Sequence, residues 1–376
     1  MRAAARALAS AEAYLRACKL QAAAAAAEAG LRALPSNAPP SCHRLLLNAQ
    51  GLALHLQGDN EAANDALQGA LHAAKVAATA GDGDDSYVDI GGVLSDLAAN
   101  HAALGDLDAA DAALKRGAYM LSRAYRPSAA AKACLLNVRG CLFSVRGDDA
   151  AALSAHEEAF ALLCATPSAP SPPRPSPHSS GATSDDTIPV HDDLLPSWEA
   201  ACRAGVAWAM LRTGGTAGAE AIATSAMRTH GSRMDAREEV YGRGLAAVAV
   251  LQRLQDGGSS GREGAIDGVR GGTAPGGRRR PDDECQRAVA ALEGVASSLE
   301  GMLGGEHAEA KAAVANSSMA RALLAGERRV APSEWRVHWQ PALGAGLRPT
   351  APPSKWASQL GGRTTPGGRN PPRPPA

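Results

Sequence analysis

The chain has 376 residues, with 38 basic and 38 acidic side chains, so its formal net charge is zero and general nucleic-acid binding is not predicted. It contains only five Trp, five Tyr and two Phe, so any core must be thin and packed from Leu and Ala. Seven Cys without a C-x-x-C motif indicate packing residues in a reducing compartment rather than a metal site, and no apolar run is long enough to span a membrane.

Three Gly-Asp pairs divide the first part of the chain into alanine- and leucine-rich runs, at Gly58-Asp59, Gly105-Asp106 and Gly147-Asp148. Each pair ends one run and begins the next, which predicts helix pairs that repeat at intervals of about 42 residues. Cys18 replaces the turn glycine in an earlier unit. Eight helices are predicted here, near residues 3–17, 20–34, 41–57, 60–80, 86–104, 107–125, 128–146 and 149–164.

Small residues recur at fixed places around each turn. With the turn glycine numbered as position 15 of a unit, positions 8, 20 and 27 are all Gly or Ala, which indicates close helix crossings. These residues are Gly51, Ala63 and Ala70; Ala98, Ala110 and Gly117; and Gly140, Ala152 and Ala159. The pattern resembles the tetratricopeptide repeat (TPR), and the long period resembles the extended kinesin light chain-like or MalT-like repeats. This resemblance implies an all-α, right-handed superhelical solenoid of antiparallel helix pairs.

The later part of the chain follows the same pattern with two interruptions. Gly214, Gly257 and Gly326 are predicted to close further first helices, and His307 precedes the last of these, which carries Asn316 at position 5. Helices are predicted near 197–212, 216–230, 233–255, 282–303 and 306–326, and residues 327–340 offer no good second helix. The predicted divisions are a TPR-like array over 1–164, a disordered Pro/Ser-rich linker over 165–190, helices over 191–255, a disordered Gly/Arg-rich loop over 256–281, final helices over 282–340 and a disordered basic tail over 341–376.

Motifs for catalysis, metal binding and cofactor binding are missing. There is no phosphate-binding or dinucleotide-binding glycine motif, so the sequence predicts neither an enzyme nor a cofactor. His156-Glu157-Glu158 lacks the second His of a zinc helix and is interpreted as a polar helix face. Three short segments are interpreted as solvated loops or tail: Asp82–Asp85, Arg278–Arg280 and Pro371–Pro375. Four other histidines are interpreted as packing or groove residues: His43, His55, His72 and His101.

The resemblance to TPR proteins implies a peptide groove lined by positions 2, 5, 9 and 12 of the first helices. An Asn at position 5 can pair with the backbone of an extended peptide of any sequence, although the Asn residues could instead bond each other between units. The two-carboxylate clamp used for acidic chaperone tails is not present. The predicted groove residues are Leu45, Asn48, Leu52, His55, Ser95, Asn137, Cys141 and Ser144.

These observations predict a non-catalytic scaffold or adaptor that binds a peptide or helix of a partner protein. The alternatives are a structural element that self-assembles into a homo-oligomer and a regulatory subunit of a larger complex. No nucleic acid, membrane span, metal or cofactor is expected. A cytoplasmic location is predicted; the alternative is a mitochondrial or plastid location, since Arg2 and Arg6 stand in an Ala-rich N-terminus that otherwise reads as the first helix.

Overall fold

The computed structural model describes residues 1–80, 86–124, 128–165, 195–230, 236–260 and 281–336. Within these ranges the chain forms thirteen α-helices and no β-strand. Residues 166–190 of the predicted linker, residues 261–280 of the predicted Gly/Arg-rich loop and the predicted tail over 341–376 lie outside the described residues. So do the features at Asp82–Asp85, Arg278–Arg280 and Pro371–Pro375. The helices are α1 (Arg2–Arg16), α2 (Leu20–Arg32), α3 (Pro40–Gln57), α4 (Asn60–Thr79), α5 (Ser86–Ala103), α6 (Leu107–Arg123), α7 (Ala129–Val145), α8 (Asp149–Ala165), α9 (Leu195–Arg212), α10 (Thr216–His230), α11 (Ala236–Ser260), α12 (Pro281–Leu303) and α13 (Ala308–Leu324).

The helices stack as a solenoid of pairs, as the sequence predicts. Each helix packs chiefly against the helix before it and the helix after it along the chain. We call the first helix of each pair A (α1, α3, α5, α7, α9, α11 and α13) and the second helix B (α2, α4, α6, α8, α10 and α12). Up to residue 336, where the described part of the chain ends, the seventh unit has an A helix and no B helix, since residues 327–336 are not helical. The fold is therefore an all-α, TPR-like solenoid.

The Gly-Asp pairs join A to B helices by satisfying the backbone groups at both helix ends. Gly58 has φ +86°, and its N–H and that of Asp59 donate to carbonyl groups of the last turn of α3. The Asp59 side chain then accepts the N–H of Ala62 at 3.3 Å and caps α4. Asp106 and Asp148 cap α6 and α8 in the same way, at 3.0 and 3.1 Å. Cys18 adopts the left-handed conformation at the earlier turn, with φ +53°.

Small residues at the helix crossings allow the backbones to come close together. All nine Gly and Ala residues predicted at positions 8, 20 and 27 of the three clear units are buried. A Cβ on Gly51 would lie 2.7 Å from Cγ of Leu67, and a Cβ on Gly117 would lie 2.7 Å from Cδ1 of Leu135. The repeat numbering derived from the turns is therefore confirmed at the level of packing.

One predicted turn is wrong. Gly257 does not end a first helix, because α11 continues to Ser260, and the predicted loop over 256–281 therefore begins later than expected. The order of residues explains the difference. The chain reads Asp256-Gly257, whereas the three clear turns of the first units read Gly-Asp, so no Asp follows this glycine to cap a new helix. The next helix begins only at Pro281, after the insert.

Two distant parts of the array meet at one edge. Arg237 at the start of α11 forms a two-pronged ion pair with Glu309 at the start of α13, and both side chains are buried. The imidazole of His307 lies beside the turn at Gly58, where a Cβ would be 3.7 Å from its Nε2. The charge of Arg237 lies close enough to His55 to help lower the pKa of that imidazole, and Cys18 lies near the same guanidinium. The seven units therefore wind far enough to bring the last two against the turns of the first two.

We expect glycine substitutions to separate crossing positions from open positions. Gly51→Ala should lower the free energy of unfolding by about 1–3 kcal/mol, because the new methyl group collides with Leu67. Gly294→Ala in α12 has no atom within 4 Å of the new Cβ and should instead raise stability by about 0.5–1 kcal/mol. Urea unfolding followed by circular dichroism measures both. Similar effects at the two positions would show that the crossing is not tight.

Candidate functional site

The A helices form the inner layer of the solenoid. Consecutive A helices pack directly on one another from α1 to α11, whereas the B helices of neighbouring units make no comparable contact in the described ranges. The stack must therefore curve toward its A side. Any groove that binds a partner along the array is expected on this face, which we call the inner face.

The structure places the eight predicted groove residues mostly inside the array. Six of them are buried, and the other two, His55 and Ser144, are half-buried. A partner on the surface would not reach the buried side chains in this conformation. The buried six are Leu45, Asn48, Leu52, Ser95, Asn137 and Cys141.

Asn48 bonds to a neighbouring unit. Its Nδ2 donates to Oδ2 of Asp96 at 3.0 Å, which joins α3 to α5, and both side chains are at most 1% exposed. One turn away, the buried Arg44 forms an ion pair with Asp89 at 3.2 Å between the same two helices. These contacts agree with the alternative interpretation, in which the Asn at position 5 bonds to the neighbouring unit. The partner of Asn48 is Asp96, however, and not a second Asn.

Asn137 bonds within its own unit. Its side-chain Nδ2 lies 3.4 Å from Nδ1 of His156 on α8, and its backbone carbonyl accepts a hydrogen bond from the thiol of Cys141. His156 is fully buried, so its interpretation as part of a polar helix face is wrong. Gly140 makes room for the ring, since a Cβ there would lie 2.4 Å from it. Burial lowers the pKa of His156 to about 3, so the ring is neutral and its Nδ1 can accept the Asn137 amide proton.

His55 is the centre of a polar cluster at the edge of the inner face. Its Nδ1 lies 3.1 Å from Oδ1 of Asn60 and 3.1 Å from Oδ1 of Asn100, so this nitrogen donates a shared proton. The Asn100 amide in turn donates to the backbone carbonyl of Asn60 at 2.9 Å. Burial is the largest cause that lowers the pKa of His55, which keeps the ring neutral. The cluster holds α3, α4 and α5 together rather than presenting donors to solvent.

Residues 327–336, which we call the inner-face segment, lie across the A helices of the last three units. Asn316 at position 5 of α13 pairs with both backbone groups of Arg336: its Nδ2 donates to the carbonyl at 2.6 Å and its Oδ1 accepts the N–H at 2.7 Å. Gln255 of α11 pairs in the same way with Val330, at 3.2 and 2.9 Å. Arg212 of α9 donates to the carbonyl of Ser333 at 3.4 Å. Side chains of three A helices thus hold an irregular stretch of backbone.

The inner-face segment is also anchored by two apolar side chains. Val330 and Trp335 are each 2% exposed and belong to the cluster formed by α9, α10, α11, α12 and α13. Between them the chain makes a tight turn, in which the Glu334 carboxylate accepts the N–H of Ala331 at 2.7 Å and pairs with Arg328 at 2.6 Å. The Ala331 N–H, followed by the Arg328 charge, lowers the pKa of Glu334. The segment therefore enters the array with a defined shape.

Sequence reasoning singled out Asn316 but missed the rest of this site. Gln252, Gln255 and Arg212 stand at positions that the TPR resemblance does not assign to the groove. Trp335 gave no distinctive signal in the sequence, since Trp339 and Trp356 also stand outside the predicted helices. Among the described residues, no group of three or more His, Cys, Asp or Glu side chains is placed to hold a metal ion. Within the same ranges, no helix is both long and apolar enough to cross a bilayer.

No protein-family model matches the chain, and no curated protein matches its sequence. Among solved structures, it is similar to the crystal structure of BtubC (BKLC) from P. vanneervenii, with 15% sequence identity, a TM-score of 0.37 and coverage of 72% of this chain and 85% of that chain. It is also similar to the complex of the TPR2AB domain of yeast Sti1 with pHSP90, with 13% identity, a TM-score of 0.27 and coverage of 84% and 98%. At these TM-scores neither similarity identifies a site or a partner. The kinesin light chain-like or MalT-like repeat type stays a prediction.

We expect the asparagines of the N-terminal units to contribute to stability. Asn48→Ala combined with Asn137→Ala should lower the free energy of unfolding by about 1–3 kcal/mol per site, since each change leaves a buried polar partner unsatisfied. Urea denaturation measures the loss, and Asn37→Ala, in an exposed loop, is the control. If the double variant kept wild-type stability but lost partner binding, position 5 would line a channel after all.

The buried His156 should make stability depend on pH. The pKa of His156 is about 3 in the folded chain, whereas the ordinary value for histidine, which applies to the unfolded chain, is 6.5. Between these two values only the unfolded chain binds a proton at this imidazole. The free energy of unfolding therefore falls as the pH drops through this window. His156→Gln should reduce the loss between pH 7 and pH 5 by about 2 kcal/mol. His72→Gln, on the exposed side of α4, should leave the profile unchanged, and an equal pH slope in both variants would contradict this assignment.

Proposed function

We propose that this chain is a non-catalytic scaffold or adaptor that binds an irregular peptide segment of a partner protein on the inner face of its last three units. The observation that carries the proposal is the grip of Asn316 and Gln255 on both backbone groups of single residues of the inner-face segment. Such contacts do not depend on the side chain of the bound residue, so the same amides can hold another chain.

An irregular or extended peptide fits this site better than a helix. The amides pair with a backbone N–H and C=O of the same residue, and both groups are used up inside a helix. A bound helix would leave the Asn316 and Gln255 side chains without these partners at a buried site. Of the two kinds of partner predicted from the sequence, the geometry thus favours the peptide.

Self-assembly by open-ended stacking is disfavoured by the two ends of the array. The outer side of α13 exposes Lys311, Ser318 and Arg321, and the apolar Val314 and Leu324 are also exposed on this helix. The outer side of α1 exposes Arg2 and Arg6. Polar outer sides on the first and last described helices are typical of capped repeat arrays, which do not stack end to end with a second molecule.

The N-terminal units are proposed to act as a support for the site. Asn48 and His55 bond to the neighbouring unit and Asn137 bonds within its own helix pair, so these predicted groove residues support the array instead of touching the partner. The ion pair of Arg237 with Glu309 joins the last two units to each other, and His307 places the last unit beside the turn at Gly58 in the first units. A partner bound to the last units would therefore meet a preformed surface rather than a loose end of the array.

A cytoplasmic location is part of the proposal. Five of the seven cysteines are buried free thiols, a state that a reducing compartment maintains. Burial raises the pKa of Cys141 well above its usual value, so this thiol is poorly reactive. At the N-terminus, Ala4, Leu8 and Ala11 are buried as part of α1, which favours the reading of this stretch as the first helix.

Panning of a phage-displayed library of linear 12-residue peptides tests the proposed function. The bait is the full chain with Trp335→Ala, which loosens the inner-face segment. Selected peptides should bind about tenfold more weakly when Gln255→Ala is added, since two hydrogen bonds of about 0.5–1.5 kcal/mol each are lost.

The matched control for this experiment is Gln286→Ala, an exposed change on the outer helix α12, which should leave peptide binding unchanged. Circular dichroism confirms that each bait is folded. A library that yields no binding peptide, or peptides equally sensitive to both changes, would refute binding at this site.

A further inference from the structure

The inner-face segment fills a pocket that is built for an indole. Trp335 is 2% exposed, and its Nε1–H donates to Oε1 of Gln252 at 3.3 Å. Gln252 is itself buried, and its Nε2 donates to Asp256 at 3.2 Å. The contact with Asp256 orients the amide so that its oxygen faces the indole. A phenyl ring in the same place would leave that buried oxygen without a donor, so the pocket distinguishes Trp from Phe.

A second pocket lies five residues earlier along the bound segment. Val330 is 2% exposed and is held at both backbone groups by Gln255. The turn at Ala331 to Glu334 sets the distance between the two pockets. Most other side chains of the segment are exposed, so two residues and the turn define what the site accepts.

The segment is tethered to its site by a very short connection. Helix α13 ends at Leu324, the chain turns at Gly326 with φ +73°, and the segment begins at the next residue. A short tether gives an effective concentration on the order of millimolar, so the segment competes strongly with any ligand supplied from solution.

Building on the function proposed above, we infer that the site recognises a partner segment that presents an aliphatic side chain and, five residues later, a tryptophan on either side of a tight turn. Residues 327–336 occupy the site as an internal competitor of the same chemistry. A partner must displace these residues, so the site becomes accessible only when Trp335 leaves its pocket. The amides of Gln255 and Asn316 hold the backbone of whichever segment is bound.

A fluorescein-labelled decapeptide with the sequence of residues 327–336 tests this inference by anisotropy titration. Full-length Trp335→Ala should bind it at least tenfold more tightly than the wild-type chain, because the internal copy then competes poorly. Two further peptides carry the change that corresponds to Trp335→Phe or to Val330→Ala. Each should bind the Trp335→Ala protein several-fold more weakly than the unchanged peptide does. Equal affinity of the wild type and the variant, or of all three peptides, would overturn the inference.

A second measurement on the wild-type chain protects the test against a variant that fails to fold. Excess unlabelled decapeptide should speed hydrogen exchange at the amides of Val330 and Arg336, which the bound segment protects. Unchanged exchange at saturating peptide would show that residues 327–336 are a fixed part of the fold. The Phe-substituted peptide is the matched control and should speed exchange less.

The outcomes separate this inference from the function on which it rests. If library peptides bind through Gln255 but lack the aliphatic and Trp pair, the scaffold function survives and this partner chemistry is wrong. If no linear peptide binds any variant, both fail. A wild-type dimer in light scattering that dissociates on Trp335→Ala would assign the site to a second copy of this chain and overturn the inference.

Discussion

The close approach of helices at residues without room for a larger side chain is the constraint on which the rest of the structure depends. At Gly51, Gly117 and Gly140 an added Cβ would collide with a neighbouring side chain. Because the helices come so close, a core poor in aromatic residues can still be filled by Leu and Ala. These close crossings fix the orientation of each A helix on its B helix. The Gly-Asp turns connect two helices that are already aligned by this packing.

A thin apolar core leaves the register between units to polar contacts. Alanine-rich surfaces are nearly uniform, so they tolerate sliding of one helix along another. The bond from Asn48 to Asp96 and the buried pair of Arg44 with Asp89 have single positions in which both partners are satisfied. We interpret these buried groups as selectors of register, since a shift by one turn would leave charges and amides buried without partners.

The same chemistry has two uses along the array. In the first units, position 5 amides are closed off by neighbouring helices, so they stabilise the fold. In the last unit no further helix follows among the described residues, which end at 336, and Asn316 faces an irregular segment instead. The end of a repeat array is thus where an inter-unit contact becomes available to a peptide. The contact of His307 with the turn at Gly58 keeps this end in place against the first units.

The sequence by itself determined the helices, their pairing and the repeat numbering, because glycine turns, Asp caps and small residues act locally and leave a period in the chain. It failed at Gly257, where the cap residue is missing, and at His156, whose pocket is created by Gly140 on another helix. Which amides face a groove was decided only by the tertiary structure. Burial of Asn48 depends on a helix from the next unit, and the site around Trp335 is assembled from units that lie far apart in the chain, which no local pattern records.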